Sequence, residues 1–252
     1  MSKDIVLIRG LFRGQYHWGE FSQLLNELLP DQRVIAVDIP GTGALSGDKS
    51  PCSIEEMVES IRFQLASNVQ VDIIAISMGG MIALKWAELY PDQVRRVICI
   101  NTSSRGVSPF YQRLKPENYL NIIKALLSGP EKKESIIYSM VSNQPLSQKV
   151  IDDWVMLGKL YPTTTMNFLR QLFAAIMFKA KRPNNEILFI SSLEDSLVSN
   201  IATQSLAQIW DMPIIYNHGD GHDIPLDNPE WLAYKVIRYL KLDEEQQNAT
   251  ER

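Results

Sequence analysis

Short apolar runs rich in β-branched residues alternate along the chain with amphipathic segments of helical period. "DIVLIR" (4–9), "RVIAVD" (33–38), "VDIIAIS" (71–77), "VRRVICI" (94–100), "EILFISS" (186–192) and "PIIYN" (213–217) predict six strands. They are largely apolar at successive positions, the pattern of strands covered on both faces in a parallel sheet. Between them, Trp18, Phe21, Leu24, Leu25 and Leu28 fall on one helical face. Ile54, Met57, Val58, Ile61 and Leu65 form another, entered through the capping-box pair Ser53 and Glu56. Further helices are expected over "GGMIALKWAELY", 199–210 and 228–241. This alternation argues for an α/β fold, a mostly parallel open sheet with helices on both faces.

The middle of the chain, residues 105–181, breaks the alternation. It carries four helical stripes and no strand pattern. They are Tyr119, Ile122, Ile123 and Leu126; Ile136, Ile137 and Met140; Val150, Trp154, Leu157 and Tyr161; and Met166, Leu169, Phe173 and Ile176. The expected organisation is one core domain, 1–104 and 182–243, with a helical insertion at 105–181 and a solvated, flexible tail at 244–252. The stripes are expected to bury helix against helix, with some side chains facing the core domain.

Composition narrows the function classes. Of 252 residues, 45% are apolar, enough for a large core, and the net charge of −4 offers no basic field for nucleic acid. The apolar runs are too short to span a bilayer. The first ten residues lack the apolar core and cleavage site of a secretory signal. With only two cysteines, Cys52 and Cys99, a disulfide framework is not indicated and a cytoplasmic setting is expected.

The candidate chemistry starts at "AISMGG" (75–80), where a serine ends a buried strand and a helix pattern follows at once. In an open α/β sheet, ligands bind beyond the carboxyl ends of the strands. A sharp strand-to-helix turn presents its central residue there and needs small neighbours two positions away on each side, here Ala75 and Gly79. The same turn leaves the Met78 N–H at a helix N-terminus, where it can donate to an oxyanion. The bland alternative is that Ser77 only caps the helix. A catalytic serine needs a base, and the base needs an orienting acid. Of the three histidines, His218 and His222 share a loop after the last predicted strand; Asp195 follows the 186–192 strand, with Glu194 and Asp223 as neighbouring acids. "HGDGHD" could also be read as a metal cluster, the weaker reading of that loop.

With these residues the sequence resembles the α/β-hydrolase superfamily over nearly its whole length. "AISMGG" looks like the nucleophile elbow, "VDIPGTG" like the D-x-P-G-x-G loop, "EDSLVS" like the acid loop and "GHDIPLDNPE" like the histidine loop. The resemblance implies a Ser77–Asp195–His222 triad in the order of that architecture. The downstream Pro229-Glu230 selects His222 over His218. It also implies an oxyanion hole from the Leu11 and Met78 N–H groups, a helical cap in place of the insertion, and no metal or organic cofactor. A small-molecule ester, thioester or lactone with an apolar acyl group is the expected substrate. Acyl transfer, carbon–carbon bond hydrolysis, or ligand binding without turnover are alternatives on the same site. Trp154, Phe173 and Arg9 are candidate substrate contacts. Three positions depart from the family pattern: Ala75 for glycine, Ser192 for glycine, and Arg9 where histidine is usual. Arg9, Arg13 and His17 are read as solvated loop charges, with recognition of an anionic substrate group as the other possibility.

Overall fold

The computed structural model describes residues 4–65 and 70–250, the last nine of these for their backbone alone. The six apolar runs form β1 (Asp4–Ile8), β2 (Val34–Val37), β3 (Val71–Ile76), β4 (Val94–Ile100), β5 (Glu186–Ser192) and β6 (Ile214–Asn217). All pair in parallel, in the order β2-β1-β3-β4-β5-β6. Side chains alternate between two cores. Val6, Ile8, Ile73 and Ala75 join one, with α2 (Ile54–Arg62), α3 (Met78–Leu89) and α9 (Asn200–Trp210). Ile5, Leu7, Ile74 and Ile76 join the other, with α1 (Glu20–Leu28), α10 (Ile224–Asp227) and α11 (Pro229–Thr250). This explains the continuous apolar strand patterns: both faces of the sheet are covered.

Helix starts follow their sequence signals. Ser53 accepts from the Glu56 N–H at 3.2 Å to begin α2, a cap worth about 1 kcal/mol. α3 is buried over Met78–Ala87, which accounts for its apolar residues all round. α11 runs to Thr250, into the segment expected as a tail; residues 251 and 252 lie outside the described residues, as do 1–3 and 66–69.

The insertion is helical: α4 (Phe110–Arg113), α5 (Tyr119–Leu127), α6 (Pro130–Val141), α7 (Gln148–Leu160) and α8 (Thr165–Met177). Tyr138, Met140, Val141 and Trp154 form a small core of their own, joined by Leu197 and Leu226 from the loops after β5 and β6. The fourth expected stripe faces the other way. Met166, Leu169, Phe173 and Ile176 are exposed, and α8 instead buries Asn167, Phe168, Gln171 and Ala174. Hydrogen bonds decide the orientation. The Asn167 amide donates to the Asp48 carbonyl (2.9 Å) and accepts from the Ser50 N–H (3.0 Å), and Gln171 accepts from the Phe12 N–H (3.0 Å). Two side-chain amides thus bond to backbone groups of other loops, and apolar period alone could not reveal that.

Candidate active site

The strand order reverses between β1 and β3, and there the loops leaving their carboxyl ends diverge and open a crevice. Ile8 pairs in register with Ala75, which sets Gly10 beside Ser77. Ser77 adopts φ 58°, ψ −121°, a conformation that costs a non-glycine residue about 1–3 kcal/mol. Its side chain makes no capping hydrogen bond to α3, so the helix-cap account does not explain it. The small residues nearby are required sterically. A Cβ on Gly79 would stand 2.3 Å from the Ile8 carbonyl oxygen, and one on Gly10 would stand 2.9 Å from the Ser77 Cβ. Ala75, the departure from glycine, is fully buried within β3. Neither the Leu11 nor the Met78 N–H has a hydrogen-bond acceptor among the described residues.

Asp195 and His222 are buried and bonded, Nδ1 to Oδ2 at 2.6 Å. The other carboxylate oxygen of Asp195 accepts from the Leu197 (2.8 Å) and Val198 (2.9 Å) N–H groups. Three acceptor contacts therefore fix this carboxylate. The competing residues are elsewhere: His218 and Glu194 are exposed, and Asp223 pairs with Arg9. Ser77 and His222 line the same cavity of about 180 Å³. No hydrogen bond joins them among the described residues; such contacts often tighten only around bound substrate. The cavity walls are mainly apolar, with Phe12, Met81, Ile122, Met140, Phe168 and Leu172 contributing.

Of the candidate substrate contacts, only Arg9 lines this cavity, and its guanidinium is held by both carboxylate oxygens of Asp223. Trp154 borders a separate, smaller pocket, where its ring carries the Arg13 guanidinium 4.0 Å above it. Phe173 is half-exposed and outside the lining; its neighbour Leu172 is the one that faces inward. Arg9 and Arg13 are not solvated loop charges. Arg9 is 3% exposed and Arg13 8%, because each has a buried acid, Asp223 and Glu134. Burial lowers the Arg13 pKa, and Glu134 opposes the shift.

His17 completes this cluster. Its Nε2 lies 3.1 Å from Arg13 Nη1, and its Nδ1 lies 3.3 Å from both the N–H and the carbonyl oxygen of Gly14. Burial first, then the Arg13 and Arg9 charges, hold its pKa well below the ordinary 6.5. The unfolded chain therefore binds a proton here that the folded chain refuses. Stability from this group is complete above about pH 6.5 and falls as the pH drops toward the folded value. His17→Asn is expected to flatten the loss of stability between about pH 7 and 5 in urea melts. The change in slope cannot exceed the ~1.4 kcal/mol per pH unit of one full proton. An unaltered slope would assign the acid sensitivity to another group.

Two positioning contacts carried no sequence signal. Asn101, just after β4 at φ 47°, donates to the His222 carbonyl and accepts from the Ser192 N–H, both at 2.8 Å. It thereby ties the acid and histidine loops to the central sheet. Lys115, before α5, donates to the Asp195 carbonyl at 2.6 Å. The Ser192 hydroxyl, where glycine is common, donates to the Asp220 carbonyl, a further tie between the two loops.

The comparisons agree with this architecture. Residues 4–120 match the sequence profile of the family described as alpha/beta hydrolase fold. The chain is 37% identical over 102 residues to a pimeloyl-[acyl-carrier protein] methyl ester esterase of Photobacterium profundum, covering 40% of this chain and 38% of that one. It is 23% identical over 241 residues to a poly(3-hydroxyalkanoate) depolymerase of Ectopseudomonas oleovorans, covering 86% and 78%. An esterase structure from Rhodococcus sp. ECU1013 superposes with a TM-score of 0.73 at 17% identity, over 95% of this chain and 90% of that one. The chain has the α/β-hydrolase fold. It spans less than half the length of most of the curated relatives it matches, only 24% of one of them.

Proposed function

We propose that the protein is a serine hydrolase that cleaves a carboxylic ester, thioester or lactone of a small to medium apolar acyl group through an acyl-enzyme. The observation that carries this is the buried His222–Asp195 bond at 2.6 Å, with its imidazole lining the cavity that Ser77 also lines. In the proposed cycle His222 takes the Ser77 proton as Oγ attacks the carbonyl carbon. Asp195 holds the imidazole with Nδ1 protonated and stabilises the imidazolium that forms. The Leu11 and Met78 N–H groups receive the oxyanion; in enzymes of this type one such donor lowers the barrier by about 3–4 kcal/mol. His222 then protonates the leaving alcohol or thiol, and water releases the acyl group by the reverse sequence. None of these steps calls on a metal or an organic cofactor. The apolar walls favour an aliphatic acyl chain over a charged one, and ester cleavage is in keeping with a relative named as a methyl ester esterase.

A fluorophosphonate probe tests the assignment directly. Stoichiometric labelling is expected, mapped by mass spectrometry to the peptide containing Ser77 and lost in Ser77→Ala. A panel of p-nitrophenyl esters of graded chain length then reads the acyl preference. Turnover by a folded, unlabelled Ser77→Ala protein at the wild-type rate would overturn the mechanism.

A further inference from the structure

Among the described residues, thirteen of the twenty-one large apolar side chains that stand exposed lie between Phe110 and Met177. They are concentrated on the two helices that flank the Ser77 cavity. α5 exposes Leu120, Ile123 and Leu127, and α8 exposes Leu169, Phe173 and Ile176. On both helices the exposed residues immediately follow cavity residues in sequence. Ile122 and Leu126 line the cavity while Ile123 and Leu127 face solvent; Leu172 and Ala175 line it while Phe173 and Ile176 face solvent. On each helix, apolar side chains therefore run from the cavity wall over its rim to the outside. Patches of this kind on a protein surface mark interaction sites.

Charge follows the same division. Residues 105–181 hold eleven Lys and Arg against five Asp and Glu, although the whole chain is at −4. From Trp154 to Lys181 there is no acidic residue, and from Phe110 to Gly129 only Glu117. Arg105, Lys124, Lys132 and Lys179 are exposed, as are the acids Glu117 and Glu131. We infer that the α5/α8 face docks on an anionic lipid surface. Helices with leucine, isoleucine and phenylalanine on the outer face and lysine or arginine beside them lie in the interfacial plane of a bilayer. Anionic headgroups attract the cations while the aliphatic side chains enter the acyl boundary. A second copy of this chain fits less well: a two-fold contact of this face with itself would set cations against cations. No helix among the described residues is long and apolar enough to cross a membrane, so the docking is peripheral. Delivery of an acyl substrate from that surface to Ser77 rests on the hydrolase reading; the docking does not.

The test is flotation with vesicles of phosphatidylcholine alone and of phosphatidylcholine with about one-quarter phosphatidylglycerol. Partition into the anionic vesicles is expected to exceed that into the neutral ones by about tenfold, and to fall several-fold from low to physiological salt. The pair Leu120→Glu and Leu127→Glu should lower anionic partition at least about tenfold, and Leu169→Glu should do so from the other helix. Melting curves and turnover of a soluble short ester should stay at the wild-type level in all of them. Ser77→Ala must bind vesicles like wild type, so a failure of the catalytic reading is seen separately. Absent or headgroup-independent binding would overturn the inference. So would self-association abolished by the same substitutions without vesicle binding, which would assign the face to a second copy. Saturable binding of soluble polyglutamate with no vesicle partition would assign it to an acidic protein.

Discussion

His222→Ala is expected to lower kcat for a short ester by about 10⁴-fold or more, while His218→Ala stays within about twofold of wild type. The two histidines are four residues apart in one loop but in opposite surroundings. His222 is 5% exposed, bonded to Asp195 and open to the Ser77 cavity; His218 is exposed to solvent. Removing His222 leaves the Ser77 hydroxyl without a proton acceptor and Asp195 with nothing to orient. The residual rate would come from the oxyanion donors and binding alone. The measurement is steady-state turnover of both variants, with thermal melts to confirm folding. A near-normal His222→Ala beside an inactive His218→Ala would reverse the assignment. Because Asp195 keeps its two backbone donors in His222→Ala, the acid loop should hold its shape. A loss in kcat with little change in KM would then mark a chemical role rather than a collapsed site.

The strands are legible because a doubly covered parallel sheet writes itself as continuous apolar runs, and the largest disagreement is one residue at an end. β3 stops at Ile76, since Ser77 must leave extended geometry to enter the turn. The insertion is legible as helices but not as oriented helices. On α8 the buried face is selected by Asn167 and Gln171, whose worth lies in the backbone groups they satisfy on other loops. Nothing in the local pattern announces such partners, so the apolar stripe points to the wrong side. Asn101 escapes for the same reason: its two bonds go to residues 91 and 121 positions away. Lone charges mislead in a related way. Arg13 and Glu134 look solvated one at a time, and only folding makes them a buried pair. What the sequence carries well is anything local, the elbow above all. What it carries poorly is anything that depends on a distant partner.

Arg9→Met is expected to destabilise the protein by about 3–5 kcal/mol, because it strands Asp223 as an uncompensated buried charge. Both side chains are almost fully enclosed, and the guanidinium engages both carboxylate oxygens, Nη1 to Oδ1 at 3.0 Å and Nη2 to Oδ2. Trp18 lies 5.0 Å beneath the guanidinium, so the cation has a second partner. A chain of this size loses about 2–4 °C of melting temperature per kcal/mol, which puts the expected fall near 10 °C. The double variant Arg9→Met/Asp223→Leu removes both charges and should recover most of it, giving a coupling of about 2 kcal/mol or more. The pair also has a place in the site. It ties the loop after β1, which carries the Leu11 N–H, to the residue that follows His222. Any activity lost in Arg9→Met should therefore be shared equally by an ester bearing a free carboxylate and by its methylated analogue. A selective loss on the anionic ester, with an unshifted melting curve, would return Arg9 to substrate recognition. Equal losses with the lowered melting temperature would fix it as the clamp between the oxyanion loop and the histidine loop, which is what its two bonds to Asp223 already describe.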